Sequence, residues 1–213
     1  MTFSIVGRCT RTGQIGAAVT TSSIAVGARV AYCAADAGAV LTQHRTDPRL
    51  GPRGISLLRS GCTAQETVDA LVASARHAAW RQLAVLDRLG GTAAFSGSRV
   101  KPFSNEARAP NGCAIGNILA DARVPEAMLR AFDRDAARPL AGLGAGLEAG
   151  GENGPVRSAH LLVVERESFP LVDLRVDWHE TPVAALCALW ERYAPLAAEF
   201  VLRATDPDNP AIR

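Results

Sequence analysis

Several function classes find little support in this chain. Aromatic residues make up only 5% of its 213 positions, and a formal charge of +2 comes with arginines scattered through both halves, so there is neither a basic stripe nor a set of stacking rings for nucleic acid. Charge or glycine interrupts every apolar run well short of the roughly 18 residues a membrane span needs. The first residues also lack the basic-then-apolar pattern of a signal peptide, so the expectation is a cytoplasmic protein without a membrane partner. Cys9, Cys33, Cys62, Cys113 and Cys187 form no C-x-x-C pair. Their odd number argues against a disulfide framework and for small core fillers. His44, His77, His160 and His179 lie far apart, with no i, i+4 pair and no cysteine at zinc spacing, so neither a metal nor a cofactor is expected.

What remains is ordinary globular material, 48% apolar and 21% charged. The length suits one domain with a real core, read here as residues 1–203 followed by a polar tail at 204–213. Residues 3–8 and 15–21 alternate in part around Thr12-Gly13 and predict a hairpin. Residues 26–43 predict a second, divided at Asp36-Ala37-Gly38. A helix is expected over 52–61, ending at Gly61. Another follows Thr63, whose partner Glu66 makes a capping box, with Val68, Leu71, Val72 and Ala75 on one face.

Residues 81–87 and 91–97 predict a third hairpin, then a polar loop over 98–112. A helix is expected over 117–132. A weaker one over 139–149 has Leu140, Leu143 and Leu147 as its face, but Gly142, Gly144 and Gly146 each cost about 1 kcal/mol against alanine, so close packing must hold it. The stretches 159–166 and 171–178 make the last hairpin, and Thr181-Pro182 opens a final helix. Hairpin-linked strands grouped between helices imply antiparallel sheets, an α+β domain.

One residue near the start carries chemistry. If Met1 is removed, Thr2 becomes the N-terminus and pairs a hydroxyl with its own α-amine, whose ordinary pKa of about 8 leaves part of it neutral and able to accept the hydroxyl proton. The plainer alternative is an ordinary strand threonine after an initiator methionine.

The stretches TFSIVGR at 2–8, GARVAYCAADAGAVLTQ at 27–43, DPRLGPRGISLLRSG at 47–61, RQLAVLD with AAFSG, GNIL at 116–119 and RSAHLLVV at 157–164 resemble the family called domain of unknown function 1028. It belongs to a group similar to the N-terminal-nucleophile hydrolases, which include the proteasome β-subunit. The resemblance implies a four-layer αββα sandwich. It also implies hydrolysis of an amide in a small amino-acid-like or metabolite substrate, with Thr2 as nucleophile.

By the same resemblance, the Thr42-Gln43 turn supplies an oxyanion donor, and Asn117 supports the nucleophile. Asn117 also has the plainer reading of a helix cap. Ser22 and Ser23 stand where family members often carry Ser-Lys or Ser-His, Glu106 where a histidine is common, and Glu152 where an acidic residue precedes two arginines, with Arg157 nearby. These residues and His44 are the expected substrate contacts. A homo-oligomer is in keeping with the superfamily. The alternative function is a non-catalytic protein of the same fold that binds a small metabolite or serves as an oligomeric partner, in keeping with the missing second-strand base.

Overall fold

The computed structural model describes residues 1–134 and 139–212. In β1 (Thr2–Arg8) the two-residue period of a strand sends Phe3 and Ile5 to one face and Ser4 and Val6 to the other. β1 forms a hairpin with β2 (Ile15–Thr21), Thr2 opposite Thr21 and Arg8 opposite Ile15. Its other edge pairs with β8 (Gly112–Asn117), Thr2 opposite Asn117. With β7 (Asn105–Ala109), β9 (Ser158–Val164) and β10 (Val172–Val176), these strands make a six-stranded antiparallel sheet in the order β10-β9-β2-β1-β8-β7. A second antiparallel sheet follows chain order: β3 (Ala31–Ala34), β4 (Gly38–Gln43), β5 (Gln82–Asp87) and β6 (Thr92–Ser96).

Among the described residues, three apolar cores hold these parts together. Val6, Val19, Leu41, Leu86 and Ile115 meet between the two sheets. Val40, Leu83 and Val85 on the other face of the smaller sheet pack against α1 (Leu50–Arg59) and α2 (Ala64–Ser74) through Leu50, Leu58 and Leu71. Phe3, Ile5, Leu161 and Leu174 of the larger sheet pack against α3 (Val124–Arg134), α4 (Pro139–Glu148) and α5 (Pro182–Tyr193). A further helix, α6 (Ala197–Thr205), follows α5. The fold is α+β, two antiparallel sheets with helices.

Local chemistry explains the helices that the sequence predicts. Thr63 accepts from the Glu66 amide at 3.2 Å while the Glu66 carboxylate accepts from the Thr63 amide at 2.8 Å, the full capping box. In α4 the glycines divide by face. A Cβ on Gly146 would stand 2.9 Å from both Met128 and Phe3, so the helix lies tight on its neighbours there, whereas Gly144 faces nothing within 4 Å. Of the leucine face expected for this helix, Leu143 is buried and Leu147 is exposed, and the side chain of Leu140 lies outside the described residues.

The expected helix over 117–132 is corrected. Asn117 closes strand β8 opposite Thr2 of β1, a partner over a hundred residues distant that local periodicity does not register; Ile118 and Leu119 then pair with Asn153 and Glu152, and the helix begins only at Val124. The expected loop over 98–112 likewise contains β7, an edge strand whose Asn-Glu-Ala-Arg-Ala sequence needs no apolar alternation.

Candidate functional site

Seven polar residues meet at one end of both sheets because each stands at the terminus of its strand. Asn117 ends β8, Thr2 begins β1, Thr21 ends β2 and Ser158 begins β9, and the register lines them up across four neighbouring strands. Cross-strand partners share a face, and this is the face of Val6, Val19 and Ile115, directed between the sheets. From the other sheet Gln43 ends β4, Gln82 begins β5 and Ser96 ends β6.

The Thr2 hydroxyl donates to the Met1 carbonyl oxygen at 2.5 Å and lies 3.1 Å from the Thr21 hydroxyl, which donates to the same carbonyl. Thr2 and Thr21 are buried. Below them an amide network joins the sheets. Ser4 Oγ donates to Gln43 Oε1 at 2.6 Å, and Gln82 Oε1 accepts from Gln43 Nε2 at 2.8 Å and from Asn117 Nδ2 at 3.0 Å. Gln82 Nε2 donates to the Gly116 carbonyl at 2.9 Å and to Ser96 Oγ at 3.1 Å. Asn117 Oδ1 is buried with no hydrogen-bond partner among the described residues.

Backbone strain flanks this network. His44 directly follows Gln43 with φ of 52°, and Ile118 directly follows Asn117 with φ of 53°. A left-handed conformation is costly for a β-branched side chain, and such residues persist where surrounding structure holds them. After Ile118 the chain is held by the Asn153 amide on the Ile118 carbonyl at 3.0 Å and by the Leu119–Glu152 bridge.

That bridge fixes Glu152, which is 5% exposed. Its Oε2 accepts from the Ser22 amide at 3.1 Å, while Oε1 is buried with no partner among the described residues. Burial pushes its carboxyl up to about 8, opposed by the positive charge of the Met1 amine and by the Ser22 hydrogen bond. The Met1 amine is lowered by burial; Glu152 opposes that change and Lys101 adds to it. His44 donates from Nδ1 to the Trp80 carbonyl at 2.9 Å and accepts from the Lys101 amide at Nε2, 3.4 Å, and burial lowers its pKa.

Thr2, Gln43, Asn117, Ser22, His44 and Glu152 are thus gathered at this end. Gln43 is the last strand residue and not part of a turn, and Asn117 is a strand residue and not a helix cap. The side chains of both bond Gln82, and neither bonds Thr2. The Ser23 hydroxyl accepts from Arg29 Nη2 at 2.5 Å. Arg157 reaches the site by its backbone, donating its amide to the Thr21 carbonyl at 2.7 Å, while its side chain turns to Glu180 and Trp178. Glu106 stands apart on the edge strand β7, 3.4 Å from Arg108.

Thr21, Gln82, Ser158 and Lys101 were missing from the sequence-derived set. Thr21 had a signal, because a β1–β2 hairpin that pairs Arg8 with Ile15 must set Thr2 against Thr21. Among the described residues no group of three or more His, Cys, Asp or Glu converges as a metal ligand set. All five cysteines are free, and no helix among the described residues is long and apolar enough to cross a membrane.

Taken together, the molecule is an α+β protein of two facing antiparallel sheets with a buried hydroxyl and amide cluster where their strands end. It belongs to the family of unknown function DUF1028, whose model matches residues 2–186. The crystal structure of protein SPO2555 from Silicibacter pomeroyi, described as a member of that family, is similar at 32% identity and a TM-score of 0.83, over 91% of this chain and 89% of that one. A more distant likeness, at 10% identity and a TM-score of 0.38, is to Anbu (ancestral beta-subunit) from Yersinia bercovieri, over 93% of this chain and 96% of that one. A search of curated proteins found no match.

Proposed function

We propose that this protein is an amidohydrolase of the N-terminal-nucleophile type with a four-layer αββα architecture, acting on a small amino-acid-like or metabolite amide through Thr2. The observation that carries the reading is the Thr2 hydroxyl, buried at the start of β1 where the strands of both sheets end and 3.1 Å from a second hydroxyl, that of Thr21. The sequence resemblance supports the same assignment. With Met1 removed, the neutral Thr2 amine takes the proton of Oγ1 as that oxygen attacks the substrate carbonyl carbon. The C–N bond then breaks, the proton passes from the ammonium to the leaving amine, and water repeats the sequence on the Thr2 ester. Gln43 and Asn117 stiffen the floor of the site through Gln82. We further assign the protein to the cytoplasm as a homo-oligomer.

The test joins intact-mass analysis to turnover of a panel of small amides. Activity is expected only in protein lacking Met1, and Thr2→Ala is expected to lower it at least about a thousandfold with an unchanged circular dichroism spectrum. Turnover by protein that fully retains Met1 would overturn the mechanism. A second reading, a binding protein of the same fold, is favoured by the partners of Gln43 and Asn117, whose side chains bond Gln82 and not the Thr2 hydroxyl. It predicts ligand-induced stabilisation that survives Thr2→Ala with no product formed.

A further inference from the structure

The mouth of the site is positively charged, and its charges are held in place without acidic partners. His44, directly after Gln43, ties two loops together: Nδ1 donates to the Trp80 carbonyl at 2.9 Å, Nε2 accepts from the Lys101 amide at 3.4 Å, and its ring stacks on that of Trp80 at 6.1 Å. The Trp80 ring in turn carries two guanidinium groups, those of Arg45 and Arg99, each centred 5.5 Å from the ring. Arg45, Arg99 and Lys101 are exposed, and none of them pairs with a carboxylate among the described residues. Asp47, two residues beyond Arg45, is already shared by Arg49 at 2.8 Å and Arg81 at 3.9 Å. Two guanidinium groups on one ring repel each other, and the ring attracts each without cancelling either charge.

These charges act on the site itself. Burial lowers the pKa of His44, the Trp80 carbonyl opposes that change, and the Met1 amine, Arg45 and Lys101 add to it. Lys101 also acts on the amine, in the same direction as burial. Glu152, the buried acid at this end, titrates at about 8 and is mostly neutral at neutral pH, which leaves the positive charges uncompensated.

We infer that Arg45, Arg99 and Lys101 form a carboxylate-binding rim, and that the substrate of the Thr2 site is an amide that also carries a carboxylate. A guanidinium fork matches a carboxylate in its plane, so Arg45 and Arg99 grip the anion while Trp80 positions them, and Lys101 adds a point charge that the amine also feels. The inference deepens the amidohydrolase reading and rests on it for the reaction, while the recognition itself is read by binding alone. The rim is exposed and screened by salt, so loss of the carboxylate is expected to weaken binding at least about fivefold.

The experiment uses Thr2→Ala protein shown by intact mass to lack Met1, so that ligand is bound and not consumed. Calorimetry compares glutaramate, with its carboxylate on the acyl side of the amide, and N-acetylglycine, with its carboxylate on the amine side, against their neutral carboxamides, glutaramide and N-acetylglycinamide. The expected result is that at least one carboxylate binds at least about fivefold tighter than its carboxamide, and that added salt shrinks the preference. Arg99→Gln combined with Lys101→Met is expected to abolish it; both side chains are exposed and make no hydrogen bond among the described residues, so the fold is kept. Arg130→Gln, which removes an exposed cation of α3 beside Arg8 and Asn111 at the far end of β1, is expected to leave it unchanged. Equal binding of carboxylates and carboxamides, binding of none of the four, a preference that survives the double variant, or one lost equally in Arg130→Gln would overturn the inference. Inorganic phosphate tests the anion: it is expected to bind more weakly than the better carboxylate, and tighter binding would overturn the choice of a carboxylate. A carboxylate preference with no product formed by the wild type would sink the hydrolase reading and leave the recognition intact. Turnover confined to the neutral amides would do the reverse.

Discussion

Gln82 bonds both Gln43 of its own sheet and Asn117 of the other, and its replacement tests how the site is held. Gln82→Leu leaves Gln43 Nε2, Asn117 Nδ2 and the Gly116 carbonyl without their partner in a fully buried position. Each orphaned group costs about 1–3 kcal/mol, so urea unfolding should show a loss above about 2 kcal/mol, against less than about 1 kcal/mol for Ser96→Ala at the exposed end of the same network. Glu152 offers a prediction of opposite kind. Its carboxyl titrates at about 8 in the fold against an ordinary 4.5, so between these values the folded chain keeps a proton that the unfolded chain has released. That contribution is complete below about pH 4.5 and is lost as pH rises toward 8. Relative to Glu152→Gln, the wild type should therefore lose stability steadily from pH 5 to pH 8. A constant difference between the two proteins across that range would contradict the assignment.

At the scale of elements, α4 separates helix propensity from packing. Gly144→Ala meets open space and should raise stability by up to about 1 kcal/mol. Gly146→Ala offers the same propensity gain but drives a methyl into Met128 and Phe3, so it should lower the melting temperature below that of Gly144→Ala. The sequence marks this helix and its dependence on close packing through its glycines. The capping box of α2 and the β1–β2 hairpin are equally readable, because their signals lie within a few residues of each other. β7 and β8 are not. The ends of β8 are glycine and asparagine, its neighbour is a polar edge strand, and only pairing with the distant β1 makes them strands.

For the whole molecule, the same contrast holds at the site. Thr2, Gln43, Asn117 and Glu152 are candidates the sequence offers through resemblance and hydroxyl chemistry, and the structure places them at one end of the sheets; the network that joins two of them is not legible there, because Gln82 looks like any polar residue opening a strand. Its role exists only when Gln43 and Asn117 arrive from opposite sheets. Glu106 was the converse, a polar residue in an expected loop that the assembled sheet carries to its edge. The position of β1 has one practical consequence. It lies in the interior of the six-stranded sheet, paired on both sides, and its first residue stands at the cluster. An affinity tag fused ahead of Met1 must therefore leave through the site, so purification handles for ligand screens on this protein belong after α6.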